Sequence, residues 1–380
     1  MIEQLMRETN ARAATPDDSI DGVTALAVCA PRDDEEARHA IAFCSQKDIA
    51  IIARGGGTKL HIGALPLRPF VVLSSENLTE IYDHDEGNAT VSAGAGISLR
   101  ALNQAVGARG QFVPIEGPEN ATLGGLVATN HWGAWKTKYG APRDLVVGLS
   151  ALLSDGRVVE NRAKVVKNVA GYDLAKIFTG SFGSLGFLTR ITIRLRPRDA
   201  ATSEWSASFD SWGEAEKHAA KIFDGAFEPT LLQLCGDAQG VVLRARFDGG
   251  ENAVAIQLSR LPQSQNVELQ EKAATWEIAA TLPIRSASDW TQEAREQGAH
   301  TNWDFALGRV KAHFQTAPDI AILRQMAENA GGFCIVERAP EKTADIVWGT
   351  PRGDFAHTTS LKAKFDAVHL FAPGRFIGGL

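Results

Sequence analysis

Cysteine is scarce in this sequence, with 4 among 380 residues. The four lie far apart, at positions 29, 44, 235 and 334, and none forms the C-x-x-C pair typical of metal and redox sites. The chain therefore lacks the clustered cysteines that an iron–sulfur centre needs. We expect four buried free thiols.

Long apolar runs and an excess of positive charge are missing as well. No uncharged apolar stretch approaches the roughly 20 residues of a membrane-spanning helix, and the first residues lack the basic-then-apolar order of a secretory signal. The 45 acidic side chains outnumber the 39 basic ones, and the resulting net charge of -6 disfavours nucleic acid and anionic lipid as partners. The sequence therefore predicts a cytoplasmic protein with no direct membrane span and no nucleic-acid partner.

Motifs of hydrolases and metal enzymes are also absent. The sequence has no G-x-S-x-G, no H-E-x-x-H and no EF-hand loop. Its 9 histidines are scattered without a close pair, so each is expected to be a surface or hydrogen-bonded residue. No metal site is predicted.

The length and the pattern of elements indicate more than one domain, because 380 residues are more than double the roughly 150 of an average domain. We expect an N-terminal lead-in at residues 1–19, a first domain at 20–200 and a second domain at 201–350. A C-terminal helix and tail at 351–380 are expected to return to the first domain.

The hydrophobic pattern predicts mixed α and β structure. Apolar strands at residues 25–29 and 49–54 flank an amphipathic helix, which indicates a βαβ unit with parallel strands. Further strands follow up to Pro197, including a hairpin that turns at residues 154–156. Residues 201–350 alternate helices with strands, which favours a sheet covered by helices on one side.

The strongest local signal for chemistry is ARGGGTKL at residues 53–60, where three consecutive glycines follow a buried strand. Such a run lets several backbone N–H groups point into one concavity, the geometry that holds a phosphate or pyrophosphate. The alternative is a flexible surface loop. Three glycines are more than a simple turn needs, because each one costs folding entropy.

Two further glycine-rich segments follow. In ENATLGGLVATNHWGAW, residues 119–135, a helix begins with Thr122, Gly124 and Gly125, and its first N–H groups can bind an anion or serve only helix packing. Residues 166–195 hold four glycines within sixteen residues, typical of a ligand wall or of a set of turns. Together the three segments favour one large, flat cofactor that carries phosphate.

In this order, ARGGGTKL, PENATLGGLVATN, RDLVVGLSALLSDG and VKNVAGYDLAKIFTGSFGSLGFLTRITIRLRP resemble the FAD-binding region of the vanillyl-alcohol oxidase and p-cresol methylhydroxylase (PCMH) flavoprotein family. The resemblance covers residues 20–200 and the tail FAPGRF, and it looks closest to the E subunits of bacterial glycolate oxidases. Between residues 201 and 350 it is only architectural.

The resemblance implies an α+β fold: a PCMH-type FAD-binding domain of two α+β subdomains, followed by a smaller α+β cap domain on the substrate side. It implies FAD-binding residues in all three glycine-rich segments: Arg54, Gly55, Gly56, Gly57 and Thr58 at the pyrophosphate, Thr122, Gly124 and Gly125 assisting them, Asn130 near the flavin ring, and Gly180, Gly186 and Phe187 near the adenine and ribose. The expected FAD is noncovalent, because Thr58 and Lys59 stand where covalent family members often carry histidine, and His61 is displaced.

The implied activity is that of an FAD-dependent oxidoreductase acting on CH–OH groups, which oxidises a small 2-hydroxy acid to the 2-oxo acid. The resemblance implies an FAD-binding subunit of a glycolate oxidase complex, with a second flavoprotein subunit and an iron–sulfur subunit as partners. Those partners could bring the chain to the inner membrane face.

Two departures from the family bear on catalysis. Phe182 stands in GSFGSLG where catalytic relatives usually have glutamate, and no histidine-glycine motif follows residue 200. Two alternatives therefore stay open: a stand-alone FAD-dependent D-2-hydroxy-acid dehydrogenase, and a non-catalytic flavin-binding assembly subunit. The available polar groups are Arg143, Lys136, Arg375 and Tyr172, and no catalytic residue is assigned among them.

Overall fold

The computed structural model describes residues 2–9, 11–161, 174–265, 267, 274–351 and 353–380. Gly171 and Tyr172, which belong to the third glycine-rich segment, lie outside the described residues. The chain forms two compact units: unit 1 consists of Met1–Trp132, Gly140–Arg198 and Thr343–Leu380, and unit 2 of Gly133–Tyr139 and Asp199–Lys342.

The described helices, in chain order, are α1 (Ile2–Thr9), α2 (Asp34–Gln46), α3 (Leu99–Gly107), α4 (Leu123–Ala128), α5 (Lys136–Tyr139), α6 (Pro142–Leu145), α7 (Leu174–Phe178), α8 (Trp212–Phe223), α9 (Glu251–Ser259), α10 (Ile284–Glu296), α11 (Ile320–Asn329), α12 (Ala344–Trp348) and α13 (Phe355–Phe365). Short 3₁₀ helices lie at Pro16–Asp18, Phe305–Leu307 and Ile377–Gly379. No helix within these described ranges is long and apolar enough to cross a bilayer.

The described strands are β1 (Arg12–Ala13), β2 (Ala27–Cys29), β3 (Ala50–Arg54), β4 (Phe70–Ser74), β5 (Ile81–Asp85), β6 (Thr90–Gly94), β7 (Gln111–Phe112), β8 (Val146–Leu152), β9 (Val158–Asn161), β10 (Phe187–Arg194), β11 (Arg196–Pro197), β12 (Ala201–Phe209), β13 (Leu231–Asp237), β14 (Gly240–Gly249), β15 (Trp276–Thr281), β16 (His300–Asp304), β17 (Arg309–Phe314) and β18 (Phe333–Arg338). Unit 1 holds a four-stranded sheet in the order β1-β2-β4-β3, a five-stranded sheet in the order β5-β6-β10-β8-β9 and the pair β11-β7. Unit 2 holds one seven-stranded sheet in the order β12-β14-β13-β16-β17-β15-β18.

The four-stranded sheet contains the parallel strands that the sequence predicts. Strands β2 and β3 are parallel, but they are not neighbours, because β4 lies between them and pairs with both. Helix α2 begins after Asp33, whose carboxylate accepts hydrogen bonds from the N–H groups of Glu35 and Glu36. Its apolar face is buried against this sheet, as its period predicts, through Ala37, Ala40, Ile41 and Cys44.

The five-stranded sheet of unit 1 is antiparallel throughout. The hairpin between β8 and β9 turns where the sequence predicts, and Gly156 takes the left-handed conformation there with φ of 80°. One face of the sheet packs on α3 and α4 through fully buried residues that include Val91, Ile191 and Leu102. Two α+β layers thus make up unit 1.

The C-terminal segment closes unit 1 through a buried ion pair. Lys362 on α13 is 1% exposed and donates to Asp366, 0% exposed, at 2.7 Å. The same ammonium donates to the carbonyl oxygens of Ser184 at 2.7 Å and of Phe371 at 2.8 Å. Phe371 in turn forms a parallel bridge with Ile51, so the tail adds to the edge of β3.

Unit 2 is built on alternating strands. Buried and half-buried residues alternate along β14 and β17, as expected for a sheet covered on one side. The helices α8, α9, α10 and α11 pack on this sheet, and Trp290 and Trp303 are among its fully buried side chains.

All four cysteines are free and buried, as predicted. Burial raises the pKa of the Cys44, Cys235 and Cys334 thiols to about 12. These thiols are therefore protonated and unreactive at neutral pH.

Candidate functional site

The glycine loop at the end of β3 faces a cavity in unit 1. Gly55, Gly56, Gly57 and Thr58 line this cavity, whose empty space, open solvent included, is about 990 Å³. We call it the cofactor cavity below.

The loop fits closely against the segment before α4. A Cβ atom at Gly55 would lie 2.0 Å from the Thr122 hydroxyl oxygen, and one at Gly56 would lie 2.1 Å from the Asn120 carbonyl oxygen. Any side chain at either position would collide with these atoms. Glycine is therefore required at positions 55 and 56 because the neighbouring segment leaves no room for a side chain, and not only because the chain turns here.

The loop presents unused backbone donors. Within the described residues, the N–H groups of Gly55, Gly56, Gly57 and Thr58 form no hydrogen bond. Gly55 and Thr58 are half-buried, whereas Gly56 and Gly57 are exposed, so these N–H groups are open to solvent or to a ligand in the cavity that the residues line. An anion with several oxygens, such as a pyrophosphate, fits this arrangement.

The first N–H groups of α4, which the sequence offered as a possible anion site, already form hydrogen bonds within the protein. Leu123 N donates to Ile97 O, Gly124 N donates to Ala95 O at 2.7 Å, and Gly125 N donates to the Thr122 hydroxyl at 3.2 Å. The strand end before α3 and the helix cap thus already use these N–H groups, which favours the packing alternative for the helix start, and assistance by Thr122, Gly124 and Gly125 at the pyrophosphate stays a prediction. Gly124 and Gly125 still line the cofactor cavity.

The third glycine-rich segment forms another wall of the cavity. Gly180 N donates to Val127 O, and Phe182 N donates to Ala128 O, so this segment packs alongside the C-terminal end of α4. Phe182 has a positive φ of 52°, a conformation uncommon for a residue with a side chain. Its ring lies in an aromatic cluster, with centroids 5.1 Å from Trp348 and 5.7 Å from Phe376.

The structure brings most of the sequence-predicted residues together. The cavity lining includes nine of them, namely Arg54, Gly55, Gly56, Gly57, Thr58, Gly124, Gly125, Gly186 and Phe187. The other three are not among the lining residues: Thr122 caps α4, Asn130 accepts a hydrogen bond from Arg143 N through its side-chain oxygen at 3.1 Å, and Gly180 N donates to Val127 O. The role of all twelve toward FAD stays a prediction.

Sequence reasoning did not assign several residues that the tertiary structure places in the lining. They are Ser75, Ala95, Pro118, His131, Ser181, Phe182, Gly183, Ala372 and Arg375. Gly183 and Phe182 belong to the glycine-rich GSFGSLG segment, and Arg375 belongs to the tail FAPGRF, so the motifs held a signal for these three. No local sequence pattern marks His131 as a cavity residue.

Two arginines of the lining differ in how their charge is balanced. Arg54 Nη1 donates to Asp18 at 2.7 Å, and Asp18 also pairs with Arg12. The Arg12 guanidinium, together with the Thr15 N–H and Arg54, holds the pKa of the Asp18 carboxyl well below its usual range. Arg375 pairs with no carboxylate in the described residues, and burial lowers its pKa to about 10.

Other candidates from the sequence lie elsewhere. His61 is not among the residues that line the cofactor cavity. It lines an adjoining recess of unit 1, which shares the glycine loop with the cofactor cavity and also contains Asp17, Asp21 and Glu76. In unit 2, Trp135 lies 5.1 Å from the Arg246 guanidinium, and Lys138 pairs with Asp199 at 3.2 Å. The residues described here contain no group of three His, Cys, Asp or Glu side chains that could hold a metal ion.

Comparison with known proteins agrees with this geometry. Residues 25–162 match the FAD binding domain family, and FAD is the cofactor of this part of the chain. The match ends before α7 and the aromatic cluster. The α+β FAD-binding fold expected from the sequence is confirmed.

Curated relatives resemble this chain over part of their length. A D-lactate dehydrogenase of Archaeoglobus fulgidus is 41% identical over 249 residues, which are 60% of this chain and 56% of the relative. Glycolate oxidase subunit GlcD of Bacillus subtilis is 32% identical over 210 residues, 54% of this chain and 44% of the relative. The chain thus spans about half the length of these relatives.

A solved structure shows the same fold over nearly the whole chain. An alkyldihydroxyacetonephosphate synthase superposes with a TM-score of 0.69 over 92% of this chain and 76% of that protein. Its sequence is 15% identical, so the likeness concerns the fold alone.

Proposed function

We propose that this chain is an FAD-dependent oxidoreductase that oxidises a small 2-hydroxy acid to the 2-oxo acid. The observation that carries the proposal is the row of four unused N–H groups from Gly55 to Thr58, which suits the pyrophosphate of FAD. Relatives named as a D-lactate dehydrogenase and as a glycolate oxidase subunit support the substrate class.

The chain's own residues would divide the work in the cofactor cavity. The glycine loop would bind the pyrophosphate, and Gly124, Gly125, Gly186 and Phe187 would pack along the rest of the cofactor. FAD supplies the acceptor for two electrons when it is bound. His131 and Lys59 are the ionisable side chains of the lining besides the two arginines, so they are the candidates to hold the hydroxyl proton.

We further propose that the chain works as a subunit of a glycolate oxidase-type complex, with a second flavoprotein subunit and an iron–sulfur subunit. Phe182 supports this proposal, because it puts an aromatic cluster where catalytic relatives usually have a carboxylate. The dispersed, buried cysteines support it too, because electrons that leave the flavin would need a cluster held by another chain.

The D-lactate dehydrogenase relative favours a second candidate, a stand-alone D-2-hydroxy-acid dehydrogenase. At 41% identity it matches this chain over 249 residues. The two candidates differ in whether the isolated chain can reduce its own flavin.

Anaerobic mixing of the purified, FAD-loaded chain with glycolate, D-lactate and L-lactate decides between them. We expect little or no bleaching of the flavin absorbance with any of the three. Phe182 stands where catalytic relatives usually have glutamate and no histidine-glycine motif follows residue 200, and substrate positioning and proton acceptance are worth several orders of magnitude in rate. The chain should be reduced at once by dithionite, which serves as the control for a redox-active flavin. Rapid, complete bleaching by one hydroxy acid would establish the stand-alone dehydrogenase instead.

A further inference from the structure

Arg375 is a buried cation in the wall of the cofactor cavity. Its side chain lines the cavity together with the glycine loop, and the residue is only 6% exposed. Nη2 donates to the Leu60 carbonyl oxygen at 2.7 Å, whereas the buried Nη1 has no hydrogen-bond partner among the described residues. The N–H groups of Nη1 are therefore left without an acceptor.

The charge of this guanidinium is not balanced by the protein. Burial lowers its pKa to about 10, and the charge of Asp21 favours the ion only from a distance, since no ion pair within the described residues joins the two side chains. Arg54, the other arginine of the lining, is neutralised by Asp18. An arginine that served packing alone would be expected to have all its buried N–H groups bonded.

The backbone holds Arg375 at this place. Four residues before Arg375, the bridge between Phe371 and Ile51 fixes the tail against β3. Arg375 N then donates to Ala372 O at 3.2 Å within a turn. The Arg375 carbonyl oxygen accepts hydrogen bonds from Ala64 N at 3.1 Å and from the Trp348 indole at 2.9 Å. The guanidinium is thus preorganised, and the described protein offsets its desolvation only through the Leu60 carbonyl oxygen and the more distant charge of Asp21.

We infer that Arg375 binds an oxyanion of the ligand in the cofactor cavity and that this anion supplies the missing partner of Nη1. The inference rests on the proposed function. Two groups share the required chemistry: the pyrophosphate of FAD and the carboxylate of the 2-hydroxy acid. Either one can accept from Nη1 and balance the buried charge.

The test compares Arg375→Gln with the parent protein. Glutamine keeps a polar amide in the buried site, but it removes the charge. FAD is titrated into the apoprotein, and oxalate is titrated into protein saturated with FAD while the flavin spectrum is followed. Oxalate carries two carboxylates and has no C–H bond that the flavin could oxidise, so its titration measures binding alone.

We expect one of the two dissociation constants to rise roughly 10- to 100-fold in Arg375→Gln, as for loss of a charge-assisted hydrogen bond in a buried site. A rise for FAD assigns Arg375 to the pyrophosphate, and a rise for oxalate alone assigns it to the substrate carboxylate. The thermal midpoint of the apoprotein should be unchanged or higher, because an uncompensated buried charge has been removed. A structural role would lower that midpoint instead.

Arg68→Gln is the matched control, because Arg68 belongs to the same unit and pairs with Asp48 away from the cavity lining. It should change neither dissociation constant. If Arg375→Gln also leaves both unchanged while the parent binds FAD, the inference is overturned and the proposed function stands. A parent apoprotein that does not bind FAD overturns both.

Discussion

At the scale of single residues, the glycine loop of the cofactor cavity offers backbone groups rather than charged side chains. Four consecutive residues of the glycine loop line the cavity, and their N–H groups have no partner in the described chain, while the guanidinium of Arg54 is bonded to Asp18. Close approach to Asn120 makes Gly56 unsuitable for mutation, since a Cβ there would lie 2.1 Å from a backbone oxygen. Thr58, which is half-buried, is the better place to test the charge of the ligand.

We expect Thr58→Asp to weaken FAD binding by at least about 10-fold. A carboxylate about 5 Å from a phosphate charge costs about 3 kcal/mol at an effective dielectric constant of about 20, and partial exposure reduces this figure. Titration of the apoprotein with FAD measures the change. Thr58→Asn is the matched control, because it has the size and shape of aspartate without the charge, and equal weakening by both would mean that no anion lies at the loop.

At the scale of elements, α13 ties the tail to the wall of the cavity. The ammonium of Lys362 bonds to Asp366, to Ser184 O next to the GSFG turn and to Phe371 O beside β3. All three acceptors are buried, so the ion pair fixes two walls that are distant in the sequence. Removing one partner leaves the other charge buried and unpaired.

Lys362→Met is therefore expected to lower the free energy of unfolding by about 3–5 kcal/mol. Urea unfolding of the apoprotein measures this change. Lys364→Met, an exposed position on the same helix, should stay within about 0.5 kcal/mol of the parent. A loss of the same size in both variants would show that helix propensity or net charge, rather than the buried pair, is responsible.

At the scale of the whole molecule, unit 1 is assembled from three separate stretches of chain, with unit 2 contributed by the residues between them. Segments near residues 55, 125, 185 and 375 meet in one cavity, so a ligand there contacts parts of the chain that come together only in the folded state. A noncovalent ligand of this kind stabilises the fold by mass action.

We expect noncovalent FAD, so unfolding should depend on the free FAD concentration. A 100-fold excess over the dissociation constant should add about 2.7 kcal/mol to the free energy of unfolding. Acid precipitation should leave the yellow colour in the supernatant. Colour that remains in the pellet would point to a covalent bond, and His131 would then be the histidine of the lining to examine.

Local periodicity and glycine runs in the sequence determined the elements and much of the cavity. The face of α2, the hairpin turn at Gly156 and the parallel direction of β2 and β3 follow from neighbouring residues. Such features can be predicted from sequence because hydrophobic periodicity and turn-forming residues act over a few neighbouring positions. The meeting of the glycine loop with Gly124 and Gly186 in one cavity was implied by the family resemblance of the three glycine-rich segments.

Only the tertiary structure decided the rest. It placed β4 between β2 and β3, used the first N–H groups of α4 in bonds to Ile97 and Ala95, and brought His131 and Arg375 to the cavity. Arg375 meets Leu60 across 315 positions of sequence, and no local pattern records such a contact. Strand order and the pairing of buried polar groups depend on which distant segments pack together, and that choice is made by burial and hydrogen bonding in the complete fold.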